Sequence, residues 1–192
     1  YLVSRLARET VKVILSGVGG DELFGGYRRY LNVQLGRYAR GIPAWIRQQV
    51  LGRLLRALPA DRNSALFNYV RLARAYVTTA DLSLDRQYAA YTSVVSDEAR
   101  RDLLSRDAGV EDFHQRYFDE CDSPAPLDRL MYFDVKTSLP EQLLMLTDKM
   151  AMAVSLEGRV PYLDHRVVEF AARLPAALKL QGLRLRYLQK EV

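Results

Sequence analysis

A single cysteine, Cys121, stands in the 192 residues of this chain, which excludes an intrachain disulfide and any cysteine-based metal cluster. A lone mid-chain thiol reads as packed or idle. No apolar run is long enough to cross a bilayer, and the opening Tyr1-Leu2-Val3-Ser4-Arg5 lacks the charged-then-apolar order of a secretory leader. The expectation is a cytoplasmic protein. Internal repeats and low-complexity segments are absent too. Two common phosphate loops are also missing. No Gly-Lys-Ser/Thr follows the glycine loop at Gly17–Gly20, and Glu22 stands where the third glycine of a dinucleotide fingerprint would fall.

What remains is an ordinary globular composition, 49% hydrophobic and 27% charged, in a chain long enough for one domain with a real core. The formal net charge of +5 is unevenly spread, with residues 1–80 at +9 and residues 81–192 at −4. The arginines at positions 37, 40, 47, 53, 56, 62, 71 and 74 recur among apolar residues at helical spacing, as on one solvated helix face. Nucleic-acid binding by this basic half stays open, and it would be strongly salt-dependent.

The chain is organised around Val11–Tyr27. Val11 to Leu15 is short, β-branched and almost wholly apolar, the pattern of a central strand covered on both faces. Ser16, Gly17, Val18, Gly19, Gly20, Asp21 and Glu22 follow at once, and ligands of open α/β sheets sit beyond the carboxyl ends of the strands. Glycines at 17, 19 and 20 let backbone N–H groups approach an anion and permit positive φ. Glycine content alone fits a structural turn as well as a ligand loop. Asp21 can cap the next helix or hold a divalent cation on a phosphate.

Elsewhere the patterning is helical. Leu2 to Glu9 reads as the end of a helix feeding the strand, and one buried strand needs sheet partners. The chain is therefore expected to be a piece, incomplete at both ends. Helices are predicted within Leu31–Leu58, at Ser64–Thr78, Leu82–Tyr91, Asp97–Leu104 (with Ser96 as N-cap), Val110–Cys121 and Leu127–Ser138, and again from Leu139-Pro140-Glu141. Asp164 is placed to cap a helix whose apolar face is Val167, Phe170, Ala171 and Leu174. Leu178 to Arg186 reads as a small hairpin around Gly182, and Tyr187–Val192 as the start of a helix.

A second constellation runs from Leu139 to Asp164. Leu143, Leu146, Met150 and Ala153 predict a core stripe. Lys149 departs from that stripe, and it is paired, snorkelling to solvent, or aimed at an anion.

Together the two stretches resemble the synthetase domain of the glutamine-dependent asparagine synthetase family. Ser16-Gly17-Val18-Gly19-Gly20-Asp21-Glu22-Leu23-Phe24-Gly25-Gly26-Tyr27 is similar to its first signature. Leu139-Pro140, Asp148-Lys149-Met150, Met152-Ala153, Ser155-Leu156-Glu157 and Arg159-Val160-Pro161-Tyr162-Leu163-Asp164 are similar to its second.

The resemblance implies an α/β domain of the adenine-nucleotide alpha-hydrolase-like, ATP-pyrophosphatase type. In this chain it would be predominantly α-helical, with a single core parallel strand and a small hairpin. Residues 1–192 would form part of one synthetase domain, without the N-terminal glutaminase domain. The implied activity is adenylation of a carboxylate, usually the aspartate side chain, then amide formation with glutamine-derived ammonia and release of AMP and pyrophosphate. The implied cofactors are ATP and Mg²⁺. Carried over by position, Ser16, Gly17, Gly19, Gly20 and Glu22 belong to the nucleotide site. Asp21 would hold Mg²⁺ and Lys149 would be the catalytic cation, while Glu157 and Arg159 would fix the turn into Pro161.

Two departures qualify the resemblance. Val18 replaces the acid common in asparagine-forming members, which points also to relatives that amidate another carboxylate, or to a non-catalytic helical binding module. The family's Ser-Gly-Gly-x-Asp-Ser pyrophosphate loop and its N-terminal glutamine-hydrolysing cysteine do not occur here, and Cys121 cannot serve as the latter. The isolated chain is expected to be inactive.

Overall fold

The computed structural model describes residues 1–31, 82–92 and 113–192, with positions 43, 45, 46, 95, 99 and 102–104 between them. The helices expected within Leu31–Leu58, at Ser64–Thr78 and over most of Asp97–Leu104, with the Ser96 cap, lie outside the described residues. So do the arginines from position 37 to 74. No helix among the described residues is long and apolar enough to cross a membrane. The chain divides into two compact units, residues 1–27 with 121–192, and residues 28–120.

The first unit begins with α1 (Leu2–Arg8) and β1 (Val13–Leu15), then α2 (Gly20–Phe24). It resumes with α5 (Pro126–Lys136), a π-helical turn at Leu139–Leu144 that runs into α6 (Met145–Met152), and β2 (Glu157–Arg159). A 3-10 turn at Pro161–Leu163 leads to α7 (His165–Arg173) and α8 (Ala176–Lys179). The hairpin β3 (Leu180–Gln181) and β4 (Arg184–Leu185) precedes α9 (Tyr187–Glu191). In the second unit α3 (Leu84–Thr92) and α4 (Phe113–Glu120) are described, with a 3-10 turn at Arg28–Tyr30. Tyr30 stacks on Tyr88 at 6.3 Å between centroids, and Tyr88 meets Phe118 edge-on at 6.4 Å.

Several local expectations hold. Gly182 turns the β3–β4 hairpin at φ 57°, and Asp164 caps α7 through its side chain. Pro140 has no N–H to donate, and the chain takes a wider π turn there before α6.

Four expectations need correction. The single core strand has a parallel partner among the described residues. Val13, Ile14 and Leu15 pair in parallel with Glu157, Gly158 and Arg159, so Glu157 and Arg159 are strand residues before they lead into Pro161. Nor is β1 buried on both faces, since Val13 is 43% and Leu15 74% exposed. The cause is one-sided cover. Ile14 and its partner Gly158 share a face, and α6 lies over it with Thr147 and Ala151 nearest Gly158. Finally, the stripe Leu143–Ala153 is not the core face of its helix. Leu146 is 55% exposed and Ala151 only 1%, because the face that meets β2 is set by Thr147 and Ala151. Phe170 likewise points outward from α7, whereas Ala171 is fully buried.

The core beside the glycine loop is Leu23, Phe24 and Ala171, with Val135, Leu163, Val167, Val168 and Leu174 packed on it. A buried ion pair ties α8 to α5. Lys179 Nζ donates to Asp128 Oδ1 at 3.1 Å, with the two side chains 4% and 24% exposed, and Ser123 Oγ donates to the other carboxylate oxygen at 3.2 Å. Lys179→Ala is expected to cost about 2 kcal/mol, below the usual range for halving a buried pair because water reaches Asp128. Urea denaturation checks this, and an unchanged midpoint would refute it.

Candidate functional site

Parallel strands put their carboxyl ends on the same side, and here the first signature stretch begins at that edge and the second passes through it after Arg159. Ser16 N donates to Arg159 O at 2.8 Å, extending the β1–β2 ladder by one bond. Beyond it the two chains fold against each other. Gly19, buried and at φ 96°, lies so close to Leu163 that a Cβ there would sit 2.5 Å from Cδ2, and a Cβ at Gly20 would lie 3.4 Å from the Tyr162 ring. Phe24 meets the same ring edge-on at 6.1 Å. The loop from β1 is thus clamped by the turn from β2.

Ser16 Oγ accepts from Val18 N at 3.4 Å, closing the loop on itself. Gly17 is exposed, with no atom within 4 Å of where a Cβ would lie. That open backbone leaves room for a ligand at the strand end.

The two loop carboxylates part company. Glu22 is 1% exposed and accepts a hydrogen bond from the Tyr27 hydroxyl. Asp21 is the second residue of α2, whose N-cap is Gly19 with no side-chain cap bond, so the expected capping role is not taken up. Instead Arg186 donates to Asp21 Oδ1 from Nε at 2.7 Å and from a terminal nitrogen as well. Asp21 Oδ2 has no described partner. Gly26 lies directly against this pair, and a methyl group there would overlap Oδ1 and crowd Arg186 Nε.

Lys149 lies on the exposed side of α6. It is two residues from both Thr147 and Ala151, and about 200° of helical rotation turns it away from the face that covers β2. Its ammonium makes no hydrogen bond or ion pair with the described residues, so of the expected options pairing is the one not seen. The structure therefore sets Ser16, Gly19 and Gly20 against β2 and the turn that follows it, pairs Asp21 with Arg186 and leaves Gly17 open. It commits Glu22 to Tyr27 and leaves Lys149 unengaged.

Among the described residues no group of three or more His, Cys, Asp or Glu side chains could hold a metal ion. The donor set suits Mg²⁺ only as a companion of phosphate, an ion that keeps waters and takes one or two carboxylates. Asp21 Oδ2 is one such hard oxygen.

Sequence reasoning did not find Arg186, Gly26, Tyr162 or Leu163 as parts of this site. Arg186 is 165 positions from Asp21, and no local pattern encodes such a pairing.

The turn from β2 ends in a charged lock. Arg166 donates to Asp164 Oδ1 from Nε at 2.9 Å and to Oδ2 at 3.1 Å, while its backbone N–H donates to Oδ1 at 3.0 Å. These bonds, the guanidinium first, hold the Asp164 carboxyl at about 2, below the usual 3.8, and raise the Arg166 guanidinium. A carboxylate whose folded pKa is depressed stabilises the fold above its unfolded value and loses that contribution as pH falls. The α7 cap should therefore be complete above about pH 4 and lost toward pH 2. A carboxyl NMR titration should place the Asp164 midpoint near 2, and Arg166→Ala should return it toward 3.8.

Comparison with known proteins shows the family. The Asparagine synthase family model matches residues 1–192. The chain is 28% identical to asparagine synthetase (glutamine-hydrolyzing) 1 of Bacillus subtilis over 100% of this chain and 29% of that protein. It is 32% identical to a putative asparagine synthetase (glutamine-hydrolyzing) of Mycobacterium bovis over 97% of this chain and 28% of that protein. A putative asparagine synthetase (glutamine-hydrolyzing) 2 of Methanocaldococcus jannaschii is 49% identical over 58% of this chain and 20% of its own length. The chain thus spans less than a third of these curated relatives. No solved structure matches it significantly.

Proposed function

Since the chain belongs to the asparagine synthase family, we propose that it serves an ATP-dependent amidotransferase ligase, with the Ser16–Tyr27 loop on the nucleotide side of the active site. The observation that carries this reading is the meeting of both signature stretches at the carboxyl edge of a parallel strand pair, where α/β folds bind ligands.

The chemistry has two displacements. A carboxylate oxygen, that of the aspartate side chain in the first instance, attacks the α-phosphorus of ATP and pyrophosphate leaves. Ammonia then attacks the acyl carbon, AMP leaves with the bonding electrons, and the surplus proton passes to solvent, giving the amide. Negative charge gathers on the phosphates in the first step, so fixed cationic groups there lower the barrier. Lys149, the unengaged ammonium of α6, is the chain's cation for that role. Ser16, Gly17, Gly19 and Gly20 offer backbone and hydroxyl donors to the nucleotide, and Glu22 supports the loop from within through Tyr27. Asp21 would hold the Mg²⁺ that accompanies ATP, an ion whose chemistry is to neutralise phosphate oxygens.

The ammonia would come from glutamine, through a glutaminase domain such as the names of the relatives imply. ATP and free aspartate as substrates place the reaction in the cytoplasm. In the intact protein, aspartate should drive exchange of labelled pyrophosphate into ATP, and glutamine should then yield asparagine. Absence of exchange with every carboxylate tried would overturn the reading.

Val18 supports a second reading of the substrate. Half-buried within the loop, it can neither take a proton nor pair with an ammonium group, as an acid there could. Exchange driven by a different carboxylate, with aspartate silent, would favour that reading.

A further inference from the structure

We propose that Arg186 is a positioning residue of the nucleotide loop, acting through Asp21. It holds Asp21 Oδ1 in a two-nitrogen fork so that Oδ2 is presented to the cation that travels with ATP. The proposal rests on the assignment of this loop to ATP and adds a residue that neither signature contains.

Four observations carry it. Both donating nitrogens of Arg186 converge on one carboxylate oxygen and leave the other without a described partner. A pair formed only for stability would more commonly share both oxygens, as Arg166 does with Asp164. The backbone is fixed to the same end. Arg186 sits at φ 52°, ψ 41°, a left-handed conformation that a non-glycine residue holds only at a cost. Its N–H donates to Gly25 O at 3.4 Å, so that conformation aims the side chain back across Gly26.

Gly26 supplies the room. A Cβ at that position would occupy the space of Asp21 Oδ1 and crowd Arg186 Nε. Finally, the pair is reachable, the two side chains being 42% and 31% exposed, unlike Glu22, which the interior already uses. A ligand can meet Asp21 without unfolding α2, and the hairpin segment that delivers Arg186 thereby becomes part of the site.

Loss of a side chain that orients a metal-ligating group typically lowers metal affinity by about 10–100-fold. The probe is Mn²⁺ with ATP, followed in the intact protein by electron paramagnetic resonance, alongside ATP alone in excess chelator. Arg186→Ala should weaken binding of the Mn²⁺ complex by about tenfold and leave affinity for metal-free ATP unchanged. Arg186→Lys keeps the charge without the fork, and it should show a smaller loss of the same kind. That variant serves also if the alanine protein does not fold.

Equal losses for ATP with and without metal would overturn the proposal, since they would mean that Arg186 touches the phosphates itself. Wild-type affinity in both variants would overturn it too. Failure of the wild-type protein to bind ATP in either form would instead overturn the nucleotide reading beneath it.

Discussion

Lys149→Ala is expected to lower aspartate-dependent pyrophosphate exchange by about 10²–10³-fold, the loss seen when one fixed charge-stabilising donor is removed from a transition state. The same substitution should leave the thermal midpoint within about 1 °C of wild type, because Ala is the best helix former and no side-chain hydrogen bond or ion pair to the described residues is lost. Both halves follow from where α6 puts the side chain. Thr147 and Ala151 face Gly158 of β2, so the residue midway between them points the other way. An exposed ammonium with no hydrogen bond or ion pair to the described residues adds little to the fold that alanine would remove. Differential scanning calorimetry and exchange kinetics on the same preparation separate the two effects. Unchanged exchange would remove Lys149 from the chemistry, and would favour a binding module that keeps the fold without the reaction. The substitution Lys149→Arg keeps the positive charge with a different reach and geometry, so exchange between that of wild type and that of Lys149→Ala is expected from it.

The parts of this fold that were legible in sequence are those fixed by neighbours in the chain. Gly182 turns its hairpin, Asp164 caps the helix that begins one residue later, and Pro140 restarts a helix after a break, each through a rule that spans a few residues. The strand β2 was not legible, since Glu157-Gly158-Arg159 has no apolar run and becomes a strand only through its ladder with β1. The burial of β1 departs from its apolar pattern for the complementary reason. An apolar run shows that a strand can be covered on both faces, but cover depends on what packs there, and α6 reaches only the Ile14 side.

The site divides along the same line. The glycine loop and its following carboxylates stand out in the sequence, as does a lysine in an apolar helix. Which carboxylate turns inward could not be read, because Asp21 and Glu22 are adjacent and their fates are decided by Arg186 and Tyr27. Tyr27 is near in sequence, but Arg186 is brought back by the hairpin at the far end of the chain.

Gly19→Ala tests whether the clamp between the two signatures holds the fold as well as the loop. At φ 96° an L-residue pays about 1–2 kcal/mol for left-handed backbone. The new methyl group would also lie 2.5 Å from Leu163 Cδ2 and 2.9 Å from Cγ, and overpacking of that kind costs about 1–3 kcal/mol. Leu163 cannot retreat freely, since it packs on the Leu23, Phe24 and Ala171 cluster. The two costs arise from different atoms and combine to about 3 kcal/mol or somewhat more. That is enough to displace the turn from β2 and open the loop at Gly17 to a different geometry. Nucleotide binding should therefore fall together with stability, in contrast to Lys149→Ala, where activity is lost alone. The decisive companion is Leu163→Ala in the Gly19→Ala background. It removes the collision and leaves the backbone cost, so it should recover nucleotide affinity better than it recovers the melting temperature. If the double variant binds no better than Gly19→Ala, the positive φ alone governs the loop and the contact with Leu163 does not.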